Sequence, residues 1–458
     1  MHAAMIGYFL ISFYLMYLFQ QEVYNKYKLN LEVDMKPTTI TSVRAQQVEA
    51  RGTPAVEAVV TTQNGGTGRA ICVAGASIGT HEIPFAYDGG DRWSGKGVMR
   101  AVNAVHEMIA PAIIGMDAAK QVEIDDVMLS IGKDVLGGNA TGAVSAAVLK
   151  AGASSLGVPL YQHIGGVSSY TLPVPGTQWC NGSKRHGDKL DRASIKPSFS
   201  FMAYDFDTFS DAAYACWDIS NRWRALLRDK FGNDFMSQIG PVLPAGLVKS
   251  DVELFDLVTD LVIKCGYQDR MGFQVDIAAD CYFNYDTNMY EGLFDSKPRT
   301  ADELFEFMVN MTKQWPFIIM EDPLSEDDYE TTARFTSAVD IQIVGDDLFT
   351  TDPLRVKQGI MAGAGNTVLL KVNQIGTITE AFDMVNLAYQ NGYGVMPCSS
   401  RGEGIDICDY SVGLKVGTVR ECGIGPEANR FREIEAQLGS RAVFAGKHGL
   451  RGKRFAIS

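Results

Sequence analysis

The stretch PFIIMEDPLSEDD, residues 316–328, decides how this chain is read. Its first half, Phe317-Ile318-Ile319-Met320, is a short apolar run bounded by a proline and reads as a buried strand. The run then breaks off on Glu321 and Asp322, charges that are costly to bury unless something pairs with them. The same form recurs along the second half of the chain. MGFQVDIA (271–278), IQIVGDD (341–347) and TVLLKVNQ (367–374) are apolar runs that arrive at Asp276, Asp346 and Lys371, and GYGVMPCSS (392–400) is a further strand candidate. Between them lie helical patterns, TADELFEFMVNMTKQ (300–314), DPLRVKQGIMAGA (352–364) and TITEAFDMVNLAYQNG (377–392). Strands alternating with helices imply a parallel sheet. At least five successive units suit a (β/α) barrel, although a doubly wound sheet shares the pattern.

The register of the charges carries the functional reading. Asp276, Glu321, Asp346 and Lys371 are separated by 45, 25 and 25 residues, and 25 is the length of one strand–helix unit. The last three therefore fall at equivalent points of consecutive strands. In a parallel barrel those points are the C-terminal mouths of the strands, where active sites sit. A single acidic residue there reads as a cap for the next helix, but the series at one register reads as a metal site. Three converging carboxylates repel one another unless a divalent cation neutralises them, and oxygen-only ligands suit Mg²⁺. A lysine one strand further on could then act as a base, its pKa lowered by the nearby cation.

The first half differs. Residues 36–70 are strand-like and end on a Gly-rich turn, ICVAGASIGTHEI (71–83) reads as a strand running into a small-residue loop, and helical patterns dominate from 98 to 156. This makes an α+β block, and YTLPVPGTQ (170–178), with its two prolines, reads as the passage into the second domain. The expected division is an apolar N-terminal extension over 1–34, an α+β domain over 35–165 and a barrel domain over 166–458. Residues 3–19 form an uncharged apolar run of 17 residues, at the lower edge of what spans a bilayer. Two readings stand: a signal-anchor with Lys26 and Lys28 on the cytosolic side, or translation that begins at Met35. A net charge of -13 excludes a basic nucleic-acid surface. The eight cysteines form no CxxC pair, as expected of reduced thiols in the cytosol.

With these stretches placed, the chain resembles the enolase (phosphopyruvate hydratase) family from about residue 38 to 446. FIIMEDPLSEDDY, IQIVGDDLFTTDP and LLKVNQIGTITEA resemble its barrel motifs. RGTPAVEAVV, GASIGTHE, GKGVMRAVNAV and AGASSLGVPLYQHIGG resemble its N-terminal ones. Family members begin close to Met35. The resemblance implies a (β/α)8 TIM-type barrel preceded by an α+β domain, a cytoplasmic homodimer, and dehydration of 2-phosphoglycerate, a phosphorylated three-carbon acid, to phosphoenolpyruvate. Membrane association is expected only if the apolar extension is present in the mature protein. Two Mg²⁺ with a lysine base are the pattern of such sites. By resemblance, Asp276, Glu321 and Asp346 hold the first Mg²⁺, Lys371 is the base, and Ser77 joins the second metal when its loop closes.

The other half of the implied site is substituted. The glutamate that protonates the departing hydroxyl falls on Val242, in IGPVLPAGL (239–247), and its companion glutamate on Ser194, in LDRASIKP (190–197). A histidine falls on Arg185, next to His186. The substrate clamp reads CSSRGE (398–403): Ser399 and Ser400 replace a histidine and an arginine, and an arginine reappears as Arg401. The last substrate-binding lysine becomes Arg420. Loss of one general acid typically costs about 10²–10⁴ in rate. The expectation is a metal-competent but weak or inactive barrel with a binding or scaffold role. Two alternatives are carried with it: a working Mg²⁺-dependent hydratase rebuilt around Arg401 and Arg420, and another lyase of the superfamily acting on a different carboxylate acid.

Overall fold

The computed structural model describes residues 36–75, 78–182, 186, 196–237 and 240–455. β1 (Ile40–Ala50) and β2 (Thr53–Thr62) pair antiparallel with Ala50 opposite Thr53, leaving Arg51-Gly52 as a two-residue turn. Both turn residues have positive φ, as a hairpin turn that follows the strand twist requires. β3 (Thr67–Cys72) adds to β2. Helix α1 (Gly138–Leu156) lies on this sheet, and its run of alanines lets the backbones approach so closely that a Cβ at Gly68 would collide with the Ala147 carbonyl. Val56, Ala58, Val60, Ala143, Val144 and Ala147 form the core of this α+β block.

The second part is the expected (β/α)8 barrel. Its strands are β4 (Val174–Gly182), β5 (Ser198–Ala203), β6 (Met271–Asp276), β7 (Phe317–Glu321), β8 (Gln342–Gly345), β9 (Thr367–Leu370), β10 (Gly394–Pro397) and β11 (Thr418–Cys422). They pair in that order; β11 returns to β4, and a bridge between Cys398 and Arg420 closes the remaining seam. β5 departs from strict alternation by running antiparallel to both neighbours, so Ser198, at its start, faces Asp276, at the end of β6. Val174, Met202, Ile319, Val344, Leu369 and Met396, each from a different strand, pack together in one cluster, as the layered interior of such a barrel demands.

Three barrel strands, β4, β5 and β11, are absent from the strand candidates read from the sequence. The Pro-containing segment read as a passage between domains instead supplies β4, which tolerates its prolines because Pro173 precedes the strand and Pro175 stands near its start. β5, SFSFMA, alternates Ser with Phe over its first four residues, but it is only six residues long and wholly buried, serines included. β11 ends on two residues of positive φ, Glu421 and Cys422, that bend the chain out of the sheet. The extension over 1–34 lies outside the described residues, and among those described no single helix is long and apolar enough to cross a membrane.

Buried polar contacts fasten the two parts together. Asp125 accepts from the Thr379 backbone N–H at 3.0 Å and from the Ser145 hydroxyl at 2.7 Å, and Lys133 bonds Glu380 at 2.8 Å and the Ile375 carbonyl at 2.9 Å. These ties join the first part to the segment that follows β9.

Candidate active site at the barrel mouth

Parallel pairing brings the strand ends into register: Glu321 lies beside Asp276, and Val344, two residues before Asp346, lies beside Glu321. All three carboxylates are buried, with 0–2% of each residue exposed. Their partners are cations of the same chain. Arg420, from β11, reaches Asp276 Oδ2 at 2.5 Å with Nη2 and Glu321 Oε1 at 3.1 Å with Nη1. Lys196, two residues before β5, pairs with Asp276 Oδ2 as well. Lys371, one residue past β9, lies 2.5 Å from Asp346 Oδ2. The remaining oxygens are largely taken: Glu321 Oε2 accepts from Gln274 at 3.2 Å and Asp346 Oδ1 from Gln374 at 2.8 Å. Asp276 Oδ1 alone of these lacks a partner among the described residues.

This corrects the sequence expectation that the carboxylates require a divalent cation to coexist. Lys196, Lys371 and Arg420 neutralise them one for one. The acidic group whose oxygens do converge within 4.8 Å is Asp322, Asp346 and Asp347, so only Asp346 of the expected triad belongs to it. Even there Asp322 serves the backbone. Positive φ turns it back so that its oxygens accept from the N–H groups of Asp346 at 2.9 Å and Asp347 at 2.8 Å. As a donor set the strand-end carboxylates have the oxygen chemistry of a Mg²⁺ site, but their charge and every oxygen except Asp276 Oδ1 are already committed, and the ion does not fit the arrangement as it stands.

The electrostatics follow from burial and pairing. Burial pushes the Asp346 carboxyl up, and Lys371 against it overrides this and holds it at about 2. Burial works on Lys371 in the opposite direction, and Asp346 again prevails, so its pKa is raised. The lowering expected from the sequence belongs to a lysine beside a bound divalent cation, whereas here the neighbour that acts on Lys371 is the Asp346 carboxylate. Burial, then the Asp346 charge, lifts Asp347 to about 7. Burial, reinforced by Arg420, brings Lys196 down to about 8, so it remains mostly an ammonium at pH 7.

Over the mouth lies the loop after β3. Arg401, fully buried, forms a two-pronged ion pair with Glu82, Thr80 N–H donates to Glu326 at 3.0 Å, and Ile83 N–H donates to the Gln374 carbonyl at 2.9 Å. Gly79 packs so near Asp347 and Glu326 that a side chain there would press on both. Arg401 is thus committed to the lid. Arg401→Ala would leave Glu82 buried without its cation and should release this loop, seen as faster amide exchange over 78–88 with the barrel strands unchanged.

Two family models match the chain, "Enolase, N-terminal domain" over residues 40–164 and "Enolase, C-terminal TIM barrel domain" over 169–453. This chain belongs to the enolase family. Curated relatives named Enolase include one from Methanococcus aeolicus, 41% identical over 423 residues that cover 89% of this chain and 97% of the relative. Another, from Pyrococcus furiosus, is 38% identical over 427 residues, covering 90% and 98%. A third, from Bifidobacterium animalis subsp. lactis, is 35% identical over 432 residues, covering 91% and 99%.

Measured against the family's pattern, the remaining expected residues divide. Ser77, Arg185 and Ser194 lie outside the described residues. His186, the neighbour that could stand in for a lost imidazole, is buried against Asp251 at 3.2 Å. Val242 sits on the short strand Gly240–Leu243, which pairs with the end of β4 opposite Asn181. The Ser400 carbonyl accepts from Arg51, and Ser399 borders a cavity shared with Gln178, Pro241 and Glu421. Sequence reasoning missed Lys196 and Glu421. Lys196 could have been sought by asking which cations balance the strand-end carboxylates; Glu421 follows Arg420 directly, but its aim depends on the bend at the end of β11.

Proposed function

We propose that this enolase-family chain dehydrates 2-phosphoglycerate slowly or not at all and serves as a binding or scaffold protein, a cytoplasmic homodimer as the resemblance implies. The observation that carries this reading is the pairing of Asp276 and Glu321 with Arg420, on a mouth where the acid position is Val242. In the family's chemistry a proton leaves the carbon α to a carboxylate, and negative charge builds there before hydroxide departs. In the family Mg²⁺ supplies the stabilising charge; here Asp276, Glu321 and Asp346 would hold it only if the cations paired with them gave way. Here Lys371 can accept a proton only by breaking from Asp346, and a valine holds no proton for the leaving hydroxyl.

Turnover of 2-phosphoglycerate by the purified protein with Mg²⁺, followed by phosphoenolpyruvate absorbance, tests this. The expected rate falls at least about 10²–10⁴ below a competent enzyme. A kcat in the typical range of roughly 1–10³ s⁻¹ would overturn it.

One observation favours a second reading, a rebuilt hydratase. Glu421 Oε1 accepts from Gln178 at 2.6 Å, lies 3.7 Å from Arg420 Nε, and borders the cavity that Ser399 and Pro241 also line. A carboxyl there could replace the missing acid. In that case Glu421→Gln removes whatever turnover the protein has, whereas a residual rate independent of Glu421 counts against it.

A further inference from the structure

The seat in which the family's chemistry would place a metal is filled by side chains, and the way it is filled singles out one residue. Asp276 Oδ2 receives both Lys196 and Arg420, while Arg420 alone reaches Glu321 and Lys371 alone reaches Asp346. Arg420 belongs to a barrel strand and bridges two strand ends. Lys196 comes from outside the sheet, from the segment entering β5. Its backbone is pinned by the Tyr282 hydroxyl, which donates to the Lys196 carbonyl, and the residue is buried. The paired charges are Asp276, Glu321 and Asp346 against Lys196, Arg420 and Lys371, three of each sign, with Asp322 and Asp347 beside Asp346. A divalent cation added to this cluster would have to separate these buried pairs and sit against three buried cations. Mg²⁺ also demands near-octahedral oxygen ligation, and of the six strand-end oxygens only Asp276 Oδ1 is without a partner among the described residues.

We propose that Lys196, backed by Arg420, stands in the place of a divalent cation at this barrel mouth, and that Lys196 is the residue that bars metal from it. The proposal rests on the reading above only in taking Asp276, Glu321 and Asp346 as the family's metal seat; it does not depend on whether the protein turns over substrate. The protein then needs no metal to fold or to hold its loop closed. A single substitution that removes the ammonium while leaving the carboxylates should turn the mouth back into a metal site.

The test is Mn²⁺ titration of the full chain, with free Mn²⁺ read by its electron paramagnetic resonance signal. The wild-type protein is expected to take up no tightly bound Mn²⁺, and EDTA should leave its melting temperature unchanged. Lys196→Ala should bind Mn²⁺ about a hundredfold tighter than wild type, the factor that corresponds to relieving one buried pair. Lys196→Ala combined with Asp276→Asn should lose that gain. Lys196→Met, which keeps the buried apolar stem, serves if the alanine variant does not fold. Tight Mn²⁺ uptake by wild type that Asp346→Asn abolishes would overturn the proposal, as would equal affinity in wild type and folded Lys196 variants. Neither result bears on the turnover assay, which follows the lost acid at Val242.

Discussion

Arg420→Ala destabilises the protein by about 3–5 kcal/mol, the cost of breaking a buried ion pair from one side. Both carboxylates that Arg420 holds are almost fully buried, and each would lose a charge-assisted bond, at 2.5 Å for Asp276 and 3.1 Å for Glu321. Asp276 keeps Lys196, but Glu321 is left with a neutral amide, Gln274, as its remaining partner. Burial already raises the Glu321 pKa, with Arg420 the main opposing influence, so its loss pushes this carboxyl further toward the protonated form. The measurement is urea denaturation of wild type and variant in EDTA, which keeps metal from compensating for the missing charge. A loss below about 1 kcal/mol, the range of an exposed pair, would show that water reaches these carboxylates and that the cluster does not lock the mouth.

Trp179→Ala is expected to cost about 3–5 kcal/mol for a different reason, the cavity it leaves. Trp179, on β4, is wholly buried at the centre of an aromatic cluster between the barrel and its outer helices. Its ring stacks on Phe199 at 4.8 Å and meets Trp223 edge-on at 5.9 Å, with Phe201, Phe255 and Phe273 within 6.5 Å. Trp223 in turn donates its indole N–H to the Trp179 carbonyl at 2.6 Å, tying its helix, Phe209–Phe231, to β4. Five rings cannot all shift into the vacated space, because each is held by strands on one side and helices on the other. Trp179→Phe should cost much less, since it keeps the stacked ring and removes an indole N–H with no acceptor among the described residues. Denaturation midpoints of the two variants compare them, and equal losses would assign the effect to the ring's size rather than to the emptied cavity.

Much of this was legible before any coordinates. The 25-residue spacing of Glu321, Asp346 and Lys371 placed them at equivalent strand ends, because a strand and its returning helix have a nearly constant length. The barrel motifs FIIMEDPLSEDDY, IQIVGDDLFTTDP and LLKVNQIGTITEA carried the resemblance to the family, with the N-terminal motifs agreeing, and the loss of a carboxylate at Val242 needed only the letter at that position. β4, β5 and β11 were not legible: β4 carries a proline near its start, and β5 and β11 are runs of six and five residues that mix apolar with polar or charged side chains yet are almost wholly buried.

By itself, then, the sequence determined which groups the barrel carries and along which strands they stand, since periodicity is a property of the local chain. Only the tertiary structure decided what those groups meet. Lys196, 80 positions from Asp276, and Arg420, 99 from Glu321, arrive at the mouth because the sheet closes on itself. No local pattern announces that the charges opposing those carboxylates come from the far ends of the chain's path around the barrel.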